Sequence, residues 1–267
     1  MMLHALIWDV DGTVAETELD GHRVAFNQAL QEHGAPWCWG VPTYGRLLRV
    51  TGGFERLVYD MEGRLDAPPS PAERERLARA VHERKNQLYA GIVAAGRIQP
   101  RPGVRRLMDE CASAGIALAI ATTTSRSSVQ ALFASQFGGA WQERFAAVVC
   151  AEDAPIKKPD PMAYQLALAR LGIEASAALA VEDSPNGLAA AGAIGIATLI
   201  TRSEYFAAEA FPGCAGLCDD LDGAVCWRGG SASRTDLAAL QLMHRAWHDD
   251  ASNHAITDSE RRRMHRT

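Results

Sequence analysis

Short apolar runs return along this chain at intervals of helix length or more, and that rhythm limits the folds open to it. The runs are "ALIW" at 5–8, "IALAIA" at 116–121, "AAVVC" at 146–150, "ALAV" at 178–181 and "IATLI" at 196–200. Continuous Val, Ile and Leu without polar alternation marks strands covered on both faces. Between several of them lie helical patterns such as "GVRRLMDECASAG" (103–115) and "PMAYQLALARLG" (161–172), the second ending at Gly172 in a C-cap position. Strand and helix in alternation predict an α/β fold with a doubly wound parallel sheet.

The rhythm breaks between about 16 and 97. That region has no comparable strand, but it predicts helices near 19–33, 43–50, 53–62 and 71–95, with "DAPPSP" (66–71) as a loop and Ser70 before Pro71 as a helix start. The expected organisation is an α/β core of residues 1–15 and 97–228 with a small helical cap, 16–96, inserted after the first strand. The chain returns through "GRIQPRPG" (96–103), where glycine and proline forbid a continuous helix. Residues 229–267 are expected to hold a C-terminal helix (235–250) and a basic tail, reached through a flexible linker at "RGGSASR".

With 267 residues the chain can bury a sizeable core, and a net charge of −5 gives no sign of a nucleic-acid partner. No apolar run reaches membrane-spanning length and no signal-peptide pattern opens the sequence, so a cytoplasmic location and no membrane partner are expected. The six cysteines form no CxxC pair and lack histidines at ligand spacing, which favours reduced thiols over a metal cluster. A monomer or weak dimer is expected.

Ligands of an open α/β sheet gather beyond the carboxyl ends of its strands. Asp9 and Asp11 follow the first run, Thr122, Thr123, Thr124, Ser125 and Arg126 the second, "KKPDP" (157–161) the third and "EDSPNG" (182–187) the fourth. Asp9, Asp11 and Asp183 offer the hard oxygens that suit Mg²⁺. Thr122 and Lys158 suit phosphate oxygens, and Ser125 is placed to cap a helix whose free N–H groups favour an anion. Each feature alone has a plain structural use: an aspartate pair caps turns, a threonine run ends strands, and KKP is a solvated loop. Their order, one group per successive strand exit, describes a metal-assisted phosphate site.

"DVDGT" at 9–13, Thr122, Lys158 before Pro159 and "EDS" at 182–184 resemble the four motifs of the haloacid dehalogenase-like (HAD) phosphatase superfamily. The helical insertion resembles the type-1 cap of its β-phosphoglucomutase-like branch. "AET", "TGG" followed by "ER", "RPGV" and "LAIATTTSR" are similar to the CbbY-like group, which is associated with xylulose-1,5-bisphosphate phosphatase. The resemblance spans about residues 3–225.

That resemblance implies Asp9 as nucleophile, forming an aspartyl-phosphate, and Asp11 as general acid/base. It implies Mg²⁺ held by the Asp9 carboxylate, the Asp11 backbone carbonyl and Asp183, with Glu182 acting through a water. Lys158 and Thr122 would position and neutralise the transferring group. Gly12 permits the sharp turn after the motif. Substrate contacts are expected from Glu18, His22, Tyr44, Thr51, Gly52, Gly53, Arg56, Lys85, Thr123, Ser125, Arg126 and Asn186, with Arg56 and Arg126 gripping a second phosphate. The chain departs from the group's pattern at Phe54, where a lysine follows the paired glycines, and Arg49 is the candidate to replace that cation. The expected reaction is hydrolysis of a sugar phosphate, with xylulose-1,5-bisphosphate or a related sugar (bis)phosphate as substrate. A phosphosugar mutase using the same intermediate is the near alternative, a phosphonate hydrolase a weaker one, and a non-catalytic regulatory or scaffold protein the distant one.

Overall fold

A computed structural model describes residues 2–249. Five parallel strands form the centre: β1 (Ala5–Trp8), β2 (Ala117–Ala121), β3 (Ala147–Val149), β4 (Ala178–Glu182) and β5 (Ala197–Thr201). A sixth parallel strand, β6 (Gly216–Cys218), leads into an antiparallel extension, β7 (Val225–Trp227) and β8 (Gly230–Ala232). The sheet order is β3-β2-β1-β4-β5-β6-β7-β8. β1 is thus flanked by β2 and β4, with Ile7 opposite Ala119 and Ala180. The polar groups after those three strands are therefore neighbours in space.

Helices cover both faces. α5 (Val104–Ser113) and α6 (Arg126–Phe137) pack on one with Leu6, Trp8, Leu118 and Ile120. α7 (Met162–Leu171) and α8 (Pro185–Gly192) cover the other with Ile7, Ala119 and Ala180. Alternation along β1 sends Leu6 and Trp8 to one layer and Ile7 to its opposite, which is why the run carries no polar residue.

Four helices separate β1 from α5: α1 (Arg23–Glu32), α2 (Val41–Leu47), α3 (Gly53–Glu62) and α4 (Pro71–Ala94). A short π-helical turn, Glu18–His22, precedes α1. Phe26, Trp39, Tyr44, Leu57 and Val81 build an apolar centre of their own. α4 begins with a capping box in which the Ser70 side chain and the Glu73 side chain satisfy each other's backbone N–H, an arrangement worth about 1 kcal/mol.

The chain near residue 230 corrects one expectation. "RGGSASR" is not a flexible linker, because Gly230–Ala232 pairs with β7 after a turn at Gly229 (φ +85°). Strands of three residues carry no readable alternation, and β8 is held by backbone pairing with β7 and by Ala232 against the core. The chain is helical from 237 to 249, here α9, and Leu240 and Met243 are buried against the sheet layer. The basic tail lies outside the described residues. Among the described residues no helix is long and apolar enough to cross a membrane.

Candidate active site

β1 ends at Trp8, and Asp9 continues its line with its N–H donating to Val181 of β4 at 3.0 Å. The chain then turns back at Gly12 (φ +83°), where a Cβ would stand 2.1 Å from Asp183 Oδ2. Only glycine lets the turn lie against that carboxylate. Asp9, Glu182 and Asp183 are all buried, and one oxygen from each lies within 4.8 Å of the others.

Lys158 joins the cluster. Its ammonium donates to Asp9 Oδ1 at 2.7 Å, Glu182 Oε1 at 2.6 Å and the Ala121 carbonyl at 2.9 Å. Burial opposes its charge, but Asp9 and Glu182 outweigh burial and push its pKa above the ordinary lysine value, so the lysine remains a cation. Burial raises Asp9 to about 8 despite Lys158, with Glu182 and Asp11 adding repulsion. Asp183 is raised as well, by burial and then by Asp9 and Glu182. Three buried carboxylates against one ammonium leave an excess of negative charge that a divalent cation would neutralise, and hard carboxylate oxygens suit Mg²⁺. The residues present fit that ion.

Glu182 is tied to the protein through both of its oxygens. Oε1 accepts from Lys158 and, at 2.6 Å, from Tyr164 Oη, while Oε2 accepts from the Asp183 N–H and the Ser184 hydroxyl. With no exposed surface and both oxygens bonded, it fixes Lys158 beside Asp9 and Asp183. Gly187 on α8 makes room for it, since a Cβ there would meet Glu182 at 1.9 Å.

Asp11 is held from three directions. Thr17 donates at 2.5 Å, His22 Nε2 sits at 2.9 Å, and the Thr124 hydroxyl bonds the other carboxylate oxygen. Burial works against its charge, yet His22 and the two hydroxyls outweigh it and keep Asp11 below the usual carboxylate range. His22 is itself fixed by stacking on Tyr89, with ring centroids 4.0 Å apart.

The two aspartates face a cavity of about 60 Å³ that also meets Thr122, Thr123, Lys158, Asp183, Glu18, Thr51, Arg56 and Asn186. Leu48 and Phe206 supply its apolar wall. A second space of about 40 Å³ shares Asp11, Glu18, Arg56 and Thr123 with it, and adds His22, Gly52, Gly53, Lys85, His82 and Ser125. The fold therefore gathers most of the residues singled out in the sequence around two small connected spaces. Ser125 caps α6 by accepting from the Ser128 N–H.

Four side chains are engaged otherwise than expected, although Arg56 lines both spaces. Arg126 is paired with Asp153 and lines neither space, because Asp153 in the β3–α7 loop lies beside the start of α6. Arg56 is occupied within the helical unit, donating to Tyr44 Oη at 2.9 Å and the Val50 carbonyl at 3.3 Å, with Glu18 at 3.9 Å. Tyr44 has no exposed surface and donates to Glu18 at 2.5 Å, so it orients Glu18 from behind. Arg49 extends to Glu209 at 2.6 Å and does not replace the cation absent at Phe54. Asn186 lines the cavity while its amide donates to Thr51 Oγ1 and the Arg49 carbonyl, joining α8 to the α2–α3 turn.

Sequence reasoning missed Thr17, Tyr164, His82, Leu48 and Phe206, and gave Thr124 no role of its own. The hydroxyls at 17 and 124 lay inside quoted motifs, and only their distance to Asp11 reveals a use. Burial lowers His82 to about 4, with Lys85 and His22 adding to the effect. Lys85 is lowered to about 8 by burial, while Asp11 and Glu18 support its charge and Arg56 opposes it.

A family model described as haloacid dehalogenase-like hydrolase matches residues 3–195. The plasmid-encoded protein CbbY of Cupriavidus necator is 43% identical over 251 residues, covering 92% of this chain and 97% of that protein. The protein CbbY of Rhodobacter capsulatus is 42% identical over 225 residues, covering 84% and 96%. Among solved structures, CbbY from Rhodobacter sphaeroides in complex with phosphate superposes with a TM-score of 0.76 at 38% identity, covering 82% of this chain and 95% of that one. A mutant of the same protein in complex with xylulose-(1,5)bisphosphate gives a TM-score of 0.76 at 37% identity.

Proposed function

Since the chain belongs to the haloacid dehalogenase-like hydrolases, we propose that it is a Mg²⁺-dependent sugar-phosphate phosphatase working through an aspartyl-phosphate on Asp9. The observation that carries this reading is the buried Asp9–Lys158–Asp183 cluster facing a cavity that also holds Asp11.

Asp9 attacks phosphorus along the line of β1, and Lys158 holds the carboxylate in place while countering charge on the transferring group. Thr122 and Thr123 meet that group from the β2 exit. Asp11 protonates the leaving alkoxide and then takes a proton from the attacking water. Because Asp11 is held ionised here, its first proton comes with the substrate or from His22 at 2.9 Å. Asp9, the Asp11 backbone carbonyl and Asp183 would hold Mg²⁺, which supplies positive charge for the phosphoryl oxygens. Glu18, Lys85 and the turn Thr51–Gly53 line the side where the sugar is expected.

The substrate proposal is xylulose-1,5-bisphosphate or a related sugar (bis)phosphate, supported by the likeness to the R. sphaeroides protein solved with that compound. With Arg126 paired to Asp153 outside both spaces, Arg56, Lys85 and the N-terminal N–H groups of α3 are the groups that line the site and suit a second phosphate. The residue range 16–96 serves as the cap that selects the sugar and excludes water. Phosphate release measured across sugar mono- and bisphosphates tests this, with the highest kcat/KM expected for a ketose bisphosphate. Strong preference for a monophosphate would overturn the bisphosphate assignment. Substrate isomerisation without free phosphate would indicate a mutase.

A further inference from the structure

Arg101 is a buried cation whose partners come from three separate stretches of the chain. One terminal nitrogen donates to the Gly12 carbonyl and, at 3.1 Å, to the Thr201 carbonyl. The other donates to the Arg202 carbonyl and, at 2.7 Å, to that of Asp219. Its Nε lies 3.4 Å from Glu16 Oε1. A planar guanidinium with five N–H groups can serve that many acceptors at once, and lysine cannot.

These partners sit where the helical insertion leaves and rejoins the core. The outgoing segment folds on itself, with the Gly12 N–H donating to Ala15 at 2.8 Å. The returning segment pairs with it, since the Arg101 N–H donates to Val14 at 2.9 Å and Ala15 bridges to Pro100. Arg101 ties this paired connection to the exits of β5 and β6. The same outgoing segment carries Asp11 at one end and Thr17, a donor to Asp11, at the other.

We propose that Arg101 is a positioning residue: by fixing the Gly12–Glu16 turn against the β5 and β6 exits, it holds Asp11 where it can serve the leaving oxygen. Val14 and Ala15 anchor the turn in the apolar core, and Arg101 adds the polar tie at its start, where the Gly12 carbonyl would otherwise lose its side-chain donor in a buried place. The proposal rests on the assignment of Asp11 as acid/base.

The test compares leaving groups. In Arg101→Lys, turnover of a sugar phosphate, whose alkoxide needs a proton, should fall at least tenfold. Turnover of p-nitrophenyl phosphate, whose leaving group departs without one, should fall less than threefold. Hydrogen exchange should quicken at residues 12–17 and 100–103 while β1, β2 and β4 keep their protection. Equal losses on both substrates, or unchanged exchange in the two segments, would overturn the proposal. Should Arg101→Lys fail to fold, Glu16→Gln removes only the ion pair at the edge of the site; it should show the same leaving-group bias at about threefold, and wild-type behaviour in both readouts would overturn the proposal. A wild-type enzyme that releases phosphate from neither compound would instead contradict the phosphatase reading, leaving the exchange measurement to decide on Arg101.

Discussion

Asp9 carries a cost that the protein alone does not remove. Its folded pKa of about 8 stands above its ordinary 3.8, so the unfolded chain releases this proton first as pH rises. Without a cation, that penalises the fold progressively from about pH 4 to pH 8. Mg²⁺ should therefore raise the melting temperature by several degrees, as a ligand at about 100 times its Kd adds about 2.7 kcal/mol. The shift should grow between pH 6 and 8 and shrink in Asp9→Asn, as read by thermal denaturation with Mg²⁺ or EDTA. Lys85 titrates the other way. Its folded pKa of about 8 lies below its ordinary 10.5, so the cation is lost within the working range. KM for an anionic substrate should rise above about pH 8, and Lys85→Met should flatten that rise while raising KM about tenfold at pH 7.

At the level of elements, the strands and the motif residues at their exits were legible because burial on both faces forces uninterrupted apolar runs. Gly12, Gly172 and the Ser125 cap were legible for a local reason: each answers a backbone requirement within a few residues. The small strands β6–β8 were not, since three residues show no period and β8 presents only glycine, serine and alanine. Arg101 was hidden in a proline- and glycine-bounded linker, where a lone arginine reads as solvated. The place of Arg126 and the partner of Arg56 were equally unreadable, because Asp153 and Tyr44 are brought to them by how helices and loops meet. α9 makes its own prediction. His244 is fully buried there, with its ring nitrogen 3.2 Å from that of His248, and burial followed by His248 lowers it to about 4. The unfolded chain takes up this proton near pH 6.5, so stability falls as pH drops from there to about 4. His244→Gln should lessen that acid loss in urea titrations at pH 7 and 5, and an unchanged pH dependence would contradict the assignment.

Across the whole molecule, the helical unit meets the core through apolar packing of α4, with Tyr89 and Val93, against the α6 side, and through further contacts of unequal worth around the site. Arg49–Glu209 is exposed, with two-thirds of the Arg49 side chain open to solvent, and such pairs contribute about 0–1 kcal/mol. Asn186 is half-buried, and its amide bonds both Thr51 and the Arg49 carbonyl. Tyr44 and Tyr205 meet edge to face at 5.8 Å across the same junction. Asn186→Ala should lower kcat/KM for a sugar phosphate about tenfold, and Arg49→Ala less than twofold, in steady-state assays; the reverse order would show that the exposed pair holds the cap. Both spaces of the site are lined from the helical unit and from the core. The central claim nevertheless concerns one atom, the free oxygen of Asp9. Rapid acid quench of the Mg²⁺-loaded enzyme with phosphate-labelled substrate, followed by peptide mapping, tests it most directly. The account predicts a transient label on the peptide carrying Asp9, formed and lost at rates compatible with turnover, and absent from Asp9→Asn. Steady phosphate release with no label at Asp9, or undiminished turnover by Asp9→Asn, would contradict it.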